Sequence, residues 1–309
     1  EVRPDSVDVL ERLGALYETE GMYAELHENL RARAGLEADS DKRRALKKRV
    51  GGLLAKELDD PAQALVAYSD VLAMGFDPDA IAAIRAIGEA REELRHEAAE
   101  SVTGILLAEG KYAELVDVLE LRLRAETEPF DRARTLRQIA EYCENRVESP
   151  DRALGALLRS LAEEPGDAPT HTDIERLCKA VGKTGFEKYA DTLRERATST
   201  FDSTVTADLY ARLGRIERAE LGNARKAAEA FQHAAEQGGD TTEVLVALES
   251  VFSELGDSAA LADVLERRIA LETEAEPIAD LVHRLACLQI DALGEKAQGL
   301  ATLRTALEK

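Results

Sequence analysis

Gly182-Lys183-Thr184 ends like a phosphate-binding loop, in which glycine amides cradle a phosphate and the lysine reaches it. The earlier glycine of that pattern would fall at residue 177, which is Leu177, and no strand pattern precedes it, so the tripeptide reads as a helix-ending turn. The five histidines, His27, His96, His171, His233 and His283, include no H-E-x-x-H pair and no cysteine at zinc spacing, and they read as solvated or groove-lining. Asp39-Ser40-Asp41 lacks the glycine and the distal glutamate of a calcium loop and reads as a helix cap. Cys143 and Cys178 fall where the helical pattern wants a packing residue, which makes them small buried hydrophobes and poor nucleophiles. Cys287 follows Leu285 by two residues, on a side of its helix that looks toward a groove. No nucleophile–base pair, phosphate loop or metal cluster emerges, so the expectation is a chain that is not an enzyme and needs no cofactor or metal.

The elements that carry these residues are helices. Across 309 residues, 45% are hydrophobic with Ala and Leu dominant, 33% are charged and only 4% are aromatic, without any Trp. Strands would want more Val, Ile and aromatics. The charge sum, 40 − 61 = −21, repels phosphate polymers and anionic membranes at long range and argues against a nucleic-acid partner. No apolar run reaches the ~18 residues of a membrane span, so membrane insertion is not expected. Three cysteines far apart argue against structural disulfides and fit a cytoplasmic setting. The chain opens on Glu1 and its last residues, Leu300 to Lys309, look like a helix without a cap, as in a fragment of something longer.

A repeat organises the chain. GMYAELHENLRAR at 21–33 recurs as GKYAELVDVLELR at 110–122, and more loosely in segments ending at Arg196 and Arg268, so the terminal arginines are 89, 74 and 72 residues apart. A second segment, from Asp60, recurs from Ser149, Asn223 and Glu295, and its Ala64, Ala153, Ala227 and Gly299 show the same three intervals. Apolar residues at i, i+3, i+4 and i+7, as in Leu10, Leu13, Gly14 and Tyr17, make each segment an amphipathic helix. Asp60-Pro61, Asp77-Pro78 and Ser149-Pro150 mark helix starts, and Gly21, Gly110, Gly182 and Gly256 mark ends. Eight helical hairpins follow, roughly 6–38, 41–76, 79–126, 131–166, 170–198, 204–238, 241–272 and 276–309. The long third interval holds two helical patterns broken near Arg91-Glu92-Glu93, which suggests a sub-array over 1–92 ending in a capping helix and a second over 93–309.

The first hairpin carries L-G-x-x-Y at Leu13-Gly14 and Tyr17, then Gly21, Tyr23, Leu26 and Leu30; the sixth carries Tyr210, Leu213-Gly214, Ala227 and Phe231. These residues resemble the tetratricopeptide repeat (TPR), and the paired modulus resembles its long, divergent bacterial arrays. The resemblance implies an all-α fold, an α-α superhelix whose concave face is lined by the first helix of each hairpin. It also implies a non-catalytic scaffold that binds a peptide or partner helix in that groove. The family's carboxylate clamp needs a lysine and an asparagine on the first helix, where this chain has Glu11 and Ala15, then Lys48 and Gly52 in the second hairpin. The groove-facing residues expected here are Lys48, Lys56, Arg134, Arg137, Arg176, Lys179, Arg215 and Arg218, with Glu141 and Glu144 as the acids among them. In an acidic chain that is a local inversion suited to an acidic peptide; the alternative is an architectural spacer or the regulatory arm of a larger protein, with these cations merely paired to neighbouring acids.

Overall fold

The computed structural model describes residues 7–307, with side chains through Arg304. Residue 6, where the first hairpin was expected to begin, and residues 308–309 at the end of the last one lie outside the described residues. Among the described residues there are seventeen α-helices of 12 to 17 residues, one short 3-10 turn and no strand.

The chain groups into two compact units, Glu1–Ser149 and Pro150–Lys309. In the first, α1 (Val7–Thr19) and α2 (Tyr23–Leu36) form one hairpin, and α3 (Ser40–Lys56) and α4 (Pro61–Leu72) the next. Then α5 (Pro78–Ala90) stands alone before the 3-10 turn Glu92–Leu94, and α6 (Arg95–Ala108), α7 (Tyr112–Leu123) and α8 (Pro129–Asn145) complete the unit. The second unit opens with α9 (Pro150–Glu163) and continues with α10 (Ala168–Val181) and α11 (Lys183–Ser199), then α12 (Ser203–Ala219) and α13 (Ala224–Gly238). Two hairpins finish it: α14 (Thr242–Leu255) with α15 (Ser258–Leu271), and α16 (Ala275–Asp291) with α17 (Lys296–Leu307). The odd helix α5 is the extra length of the third interval, and its chain breaks where the sequence breaks, at Arg91 in extended conformation.

Local chemistry sets the helix ends. Asp39 accepts hydrogen bonds from the Asp41 and Lys42 amides, so Asp39-Ser40-Asp41 is a cap. Asp60 and Asp77 accept from the Gln63 and Ala80 amides, each ahead of a first-turn proline. Gly21, Gly110, Gly182 and Gly256 all have positive φ, between 66° and 88°, where a Cβ would be strained.

The second ladder has its own turn. Asp60 N donates to Leu54 O at 2.9 Å, Ser149 to Cys143 at 2.8 Å, and Asn223 to Glu217 and Glu295 to Gln289 at 2.7 Å. Each bond spans six residues, and the residue before each donor has positive φ: Asp59, Glu148, Gly222 and Gly294. These positions repeat at 89, 74 and 72 residues, the intervals of the sequence repeat.

Candidate interaction surface

The eight cations were expected on the groove-facing side of first helices, here α3, α8, α10 and α12. Lys48 on α3 reaches across to α5, with Nζ 3.1 Å from Asp77 and 3.0 Å from Asp79. Hydrogen bonds to Asp79 and Asp77 hold the ammonium above the usual lysine range. Burial pushes the Asp77 carboxyl up, but the Ala80 amide and Lys48 outweigh it and hold the group below the carboxylate range. Lys48 therefore ties α3 to the cap of α5. Arg134 pairs with Asp131 at 2.8 Å and Arg176 with Asp173 at 3.1 Å, each one turn back on its own helix. Arg137 and Glu144 are engaged as well, and Glu141 is exposed. Arg215 and Arg218 of α12 cross to α14, reaching Glu243 at 2.7 Å and Glu254 at 3.2 Å.

Lys56 and Lys179 differ from the rest. Both are exposed, and each sits in the last turn of its helix, where a cation complements the helix dipole. Lys56 also borders a hollow of about 400 Å³ between α2 and α3, whose wall includes Tyr23, Leu30, Arg49 and Gly52.

A larger hollow, about 560 Å³, lies between α2, α3 and α4. Val50, Leu54 and Val66 give it an apolar wall, and Arg31, Arg43 and Lys47 stand around it. Lys47 is paired to Asp70 at 2.7 Å, and Arg43 donates to the Glu37 carbonyl at the end of α2. The sequence reading passed over this hollow. Its trace was Arg43 recurring 89 residues later as Arg132, which donates to the Leu123 and Glu126 carbonyls at the end of α7.

The arginines that marked the first ladder are more than markers. Arg33 pairs with Glu11 at 3.2 Å, Arg122 with Glu126 at 2.9 Å, Arg196 with Glu195, and Arg268 with Glu249. Glu217 was also missed. It is buried, takes a hydrogen bond from Arg194 at 2.7 Å and another from Asn223 at 2.8 Å, and so pins the ends of α11, α12 and α13 together.

Cys143 and Cys178 are buried. Burial, with Glu175 and Glu220 nearby, pushes the Cys178 thiol up to about 12, which leaves no thiolate for chemistry at neutral pH. Cys287 is exposed, with Sγ 3.8 Å from Nε2 of His283 one turn away. His171 is buried between Tyr189 Oη, 2.6 Å from Nδ1, and the Pro165 carbonyl, 2.9 Å from Nε2. The carbonyl can only accept, so Nε2 carries the proton and Nδ1 accepts from the tyrosine, a neutral ring that burial keeps below the usual histidine range. Among the described residues, no group of three or more His, Cys, Asp or Glu could hold a metal ion, and no helix is long and apolar enough to cross a membrane.

Tandem antiparallel hairpins of this length, with a glycine or αL turn inside each, define an all-α, TPR-like array. No model of a known protein family matches the chain, and no curated protein matches its sequence. Solved structures similar to it include a MamA crystal structure, at 16% identity and TM-score 0.34 over 55% of this chain and 93% of MamA. A tetratricopeptide repeat protein from Parabacteroides merdae aligns at 12% identity and TM-score 0.28 over 89% and 96% of the two chains. Yeast Tom70 aligns at 10% and 0.33 over 87% and 61%. At scores this low the fold class stands on the helices and turns described above.

Proposed function

We propose that the chain is a non-catalytic scaffold that binds an acidic peptide or partner helix in a concave groove lined by its first helices. The observation that carries this reading is the set of exposed cations on first helices, Lys56 and Arg134 in the first unit and Arg176, Lys179 and Arg215 in the second, in a chain of net charge −21. Exposed ion pairs such as Arg134–Asp131 and Arg215–Glu243 are each worth only about 0 to 1 kcal/mol, so a ligand carboxylate can replace the internal one at little cost. Lys56 and Lys179 are open to a ligand without such an exchange. The break at Arg91 is proposed to separate a sub-array over 1–92 from one over 93–309, and limited proteolysis there ahead of other loops would support it.

The same ion pairs favour a second reading, an architectural spacer whose surface cations serve only its own acids. Fluorescence anisotropy with a labelled Glu-rich helical peptide separates the two. A scaffold gives saturable binding that weakens as salt rises and is lost when Arg134, Arg137, Arg176 and Arg215 are all changed to Glu with helicity intact. Unchanged affinity and salt dependence in that variant would favour the spacer.

A further inference from the structure

The hollow between α2, α3 and α4 has a twin, and the two differ in a way that points to a ligand. Helices α2 and α4 pack on α3 rather than on each other, so Arg43, Lys47, Val50 and Leu54, on one face of α3, form a floor between two walls. A second hollow lies between α11, α12 and α13. Every one of the nine residues lining it is the counterpart, one 89-residue and one 74-residue interval later, of a residue lining the first. The hollow is therefore built into the repeat, between two successive second helices and the first helix that joins them, and each example is internal to its unit.

The second hollow is closed by its own side chains. Glu217 takes the place of Leu54 and is held by Arg194 at 2.7 Å, and the Tyr210 and His233 rings meet across it from α12 to α13 with 5.0 Å between centroids. Arg194 and Lys226 balance Glu217 and Glu229, and the volume is about 350 Å³. In the first hollow Lys47 and Asp70 replace the rings, the floor is the buried pair Val50 and Leu54, and about 560 Å³ stays open. Val66, where the twin has Glu229, stands 56% exposed on the wall. Gly35, where the twin has Thr198, keeps the α2 wall low; a Cβ there would meet no atom within 4 Å. Arg31, Arg43 and Lys47 outnumber Asp70 around this apolar floor. Arg43 meets the Glu37 carbonyl and, among the described residues, no carboxylate. Arg31–Glu28 at 3.7 Å and Lys47–Asp70 at 2.7 Å are surface pairs in which a ligand carboxylate can replace the internal one.

We infer that the hollow between α2, α3 and α4 is a docking site for an acidic amphipathic helix of a partner protein. The apolar face of that helix sets a leucine or similar side chain over Val50, Leu54 and Val66, and its flanking glutamates meet Arg31, Arg43 and Lys47. A cationic hollow with an apolar floor, in a chain of net charge −21, is complementary to that chemistry and unlike the chain's prevailing surface. The exposed Val66 favours a helix, which covers the rim as it fills the floor, over a small molecule held below it. Lys48 and Lys56, assigned above to the concave groove, do not line this hollow, so the two sites stand or fall separately.

The probe is a labelled helical peptide with leucines along one face, glutamates beside them and photoleucine at its central apolar position; anisotropy reads affinity and the cross-link reads place. With the full chain, cross-links are expected on α2, α3 and α4, and affinity should fall as salt rises. Val66→Glu places the twin's acid on the wall, and Lys47→Tyr with Asp70→His installs the twin's rings. Each is expected to weaken binding at least about 10-fold with circular dichroism unchanged. Charge reversal of Arg134, Arg137, Arg176 and Arg215 is expected to leave these cross-links in place. No binding, cross-links confined to α8, α10 and α12, or unchanged affinity in both hollow variants would each overturn the inference; the second of these leaves the groove reading standing. Saturable binding of decanoate without binding of the peptide would also overturn it, in favour of a small-molecule site.

Discussion

The second-ladder turns of the two units share one backbone and differ in what lies beneath it. In the first unit the buried position is Leu54 and then Cys143, and the αL residues are Asp59 and Glu148. In the second unit the same positions hold Glu217 and Gln289, also buried, and the αL residues are Gly222 and Gly294. The six-residue hydrogen bond is present in all four. Turn geometry therefore belongs to the backbone, and the side chain beneath it can be apolar or polar provided a polar one has a hydrogen-bond partner. Glu217 has Arg194 and Asn223, and Gln289 accepts from Thr302 Oγ1 at 2.9 Å. The first unit relies on apolar burial and tolerates two non-glycine residues at positive φ; the second relies on hydrogen bonds and relaxes the turn with glycine.

The sharpest way to break this comparison is at Glu217. Glu217→Ala removes two charge-assisted hydrogen bonds and leaves a cavity, and should cost about 3 kcal/mol, near the low end for breaking a buried pair because Arg194 can turn to solvent. Glu217→Leu fills the cavity but still loses both hydrogen bonds, and should cost about 1 to 2 kcal/mol, less than the alanine. Denaturant melts followed by circular dichroism read both, and equal losses would mean that the two turns are not alternatives.

A smaller effect belongs to His171, the buried ring near the start of α10. Its folded-state pKa is lowered by burial, so the unfolded chain binds more protons below the ordinary histidine value of about 6.5. Stability should fall as pH drops from there toward the folded value, by at most about 1.4 kcal/mol per pH unit from this ring. Arg212, Asp208, Glu175 and Tyr189 surround it and add their own contributions. His171→Leu should flatten that stretch of the stability–pH curve; an unchanged slope would place the acid sensitivity elsewhere.

The smallest effect concerns the αL residues. Glu148→Gly relieves a Cβ at φ 55° and should stabilise by about 0.5 to 1 kcal/mol, the strain relieved exceeding the entropy that glycine adds to the unfolded chain. Asp59→Gly should be close to neutral, because aspartate tolerates αL and its 2.6 Å pair with Arg91 is lost. Thermal melts that rank the two in the opposite order would contradict this account of the turns.

Helix number, caps, glycine turns and the odd helix near Arg91 were legible in the sequence because each is a local event, decided by a few neighbouring residues. The partners of the cations were not. Lys48 meets Asp77 and Asp79, Arg215 meets Glu243, and Arg218 meets Glu254, all 28 to 36 residues away. Periodicity assigns such a residue to a face, but what rests against that face depends on how successive helices pack. Glu217 was readable in principle: it occupies the ladder position of Leu54, Cys143 and Gln289, where an acid among buried residues calls for a partner.

Equivalence of positions related by 89, 74 and 72 residues is tested most directly by a double-mutant cycle in the second unit. Gly51, Ala140, Gly214 and Ala286 occupy one ladder position, and Tyr68, Leu157, Phe231 and Leu303 another, so glycine accompanies an aromatic ring and alanine accompanies leucine. A Cβ on Gly214 would sit 2.7 Å from the Phe231 ring, as one on Gly51 would sit 2.8 Å from Tyr68. Gly214→Ala alone should cost about 1 to 3 kcal/mol through overpacking. Combined with Phe231→Leu, which restores the alanine–leucine pairing of the other repeats, the loss should fall short of the sum of the single losses by about 1 kcal/mol or more. Losses that add within about 0.5 kcal/mol would show that the two positions do not fit each other by size, and that the ladder is a pattern of sequence alone.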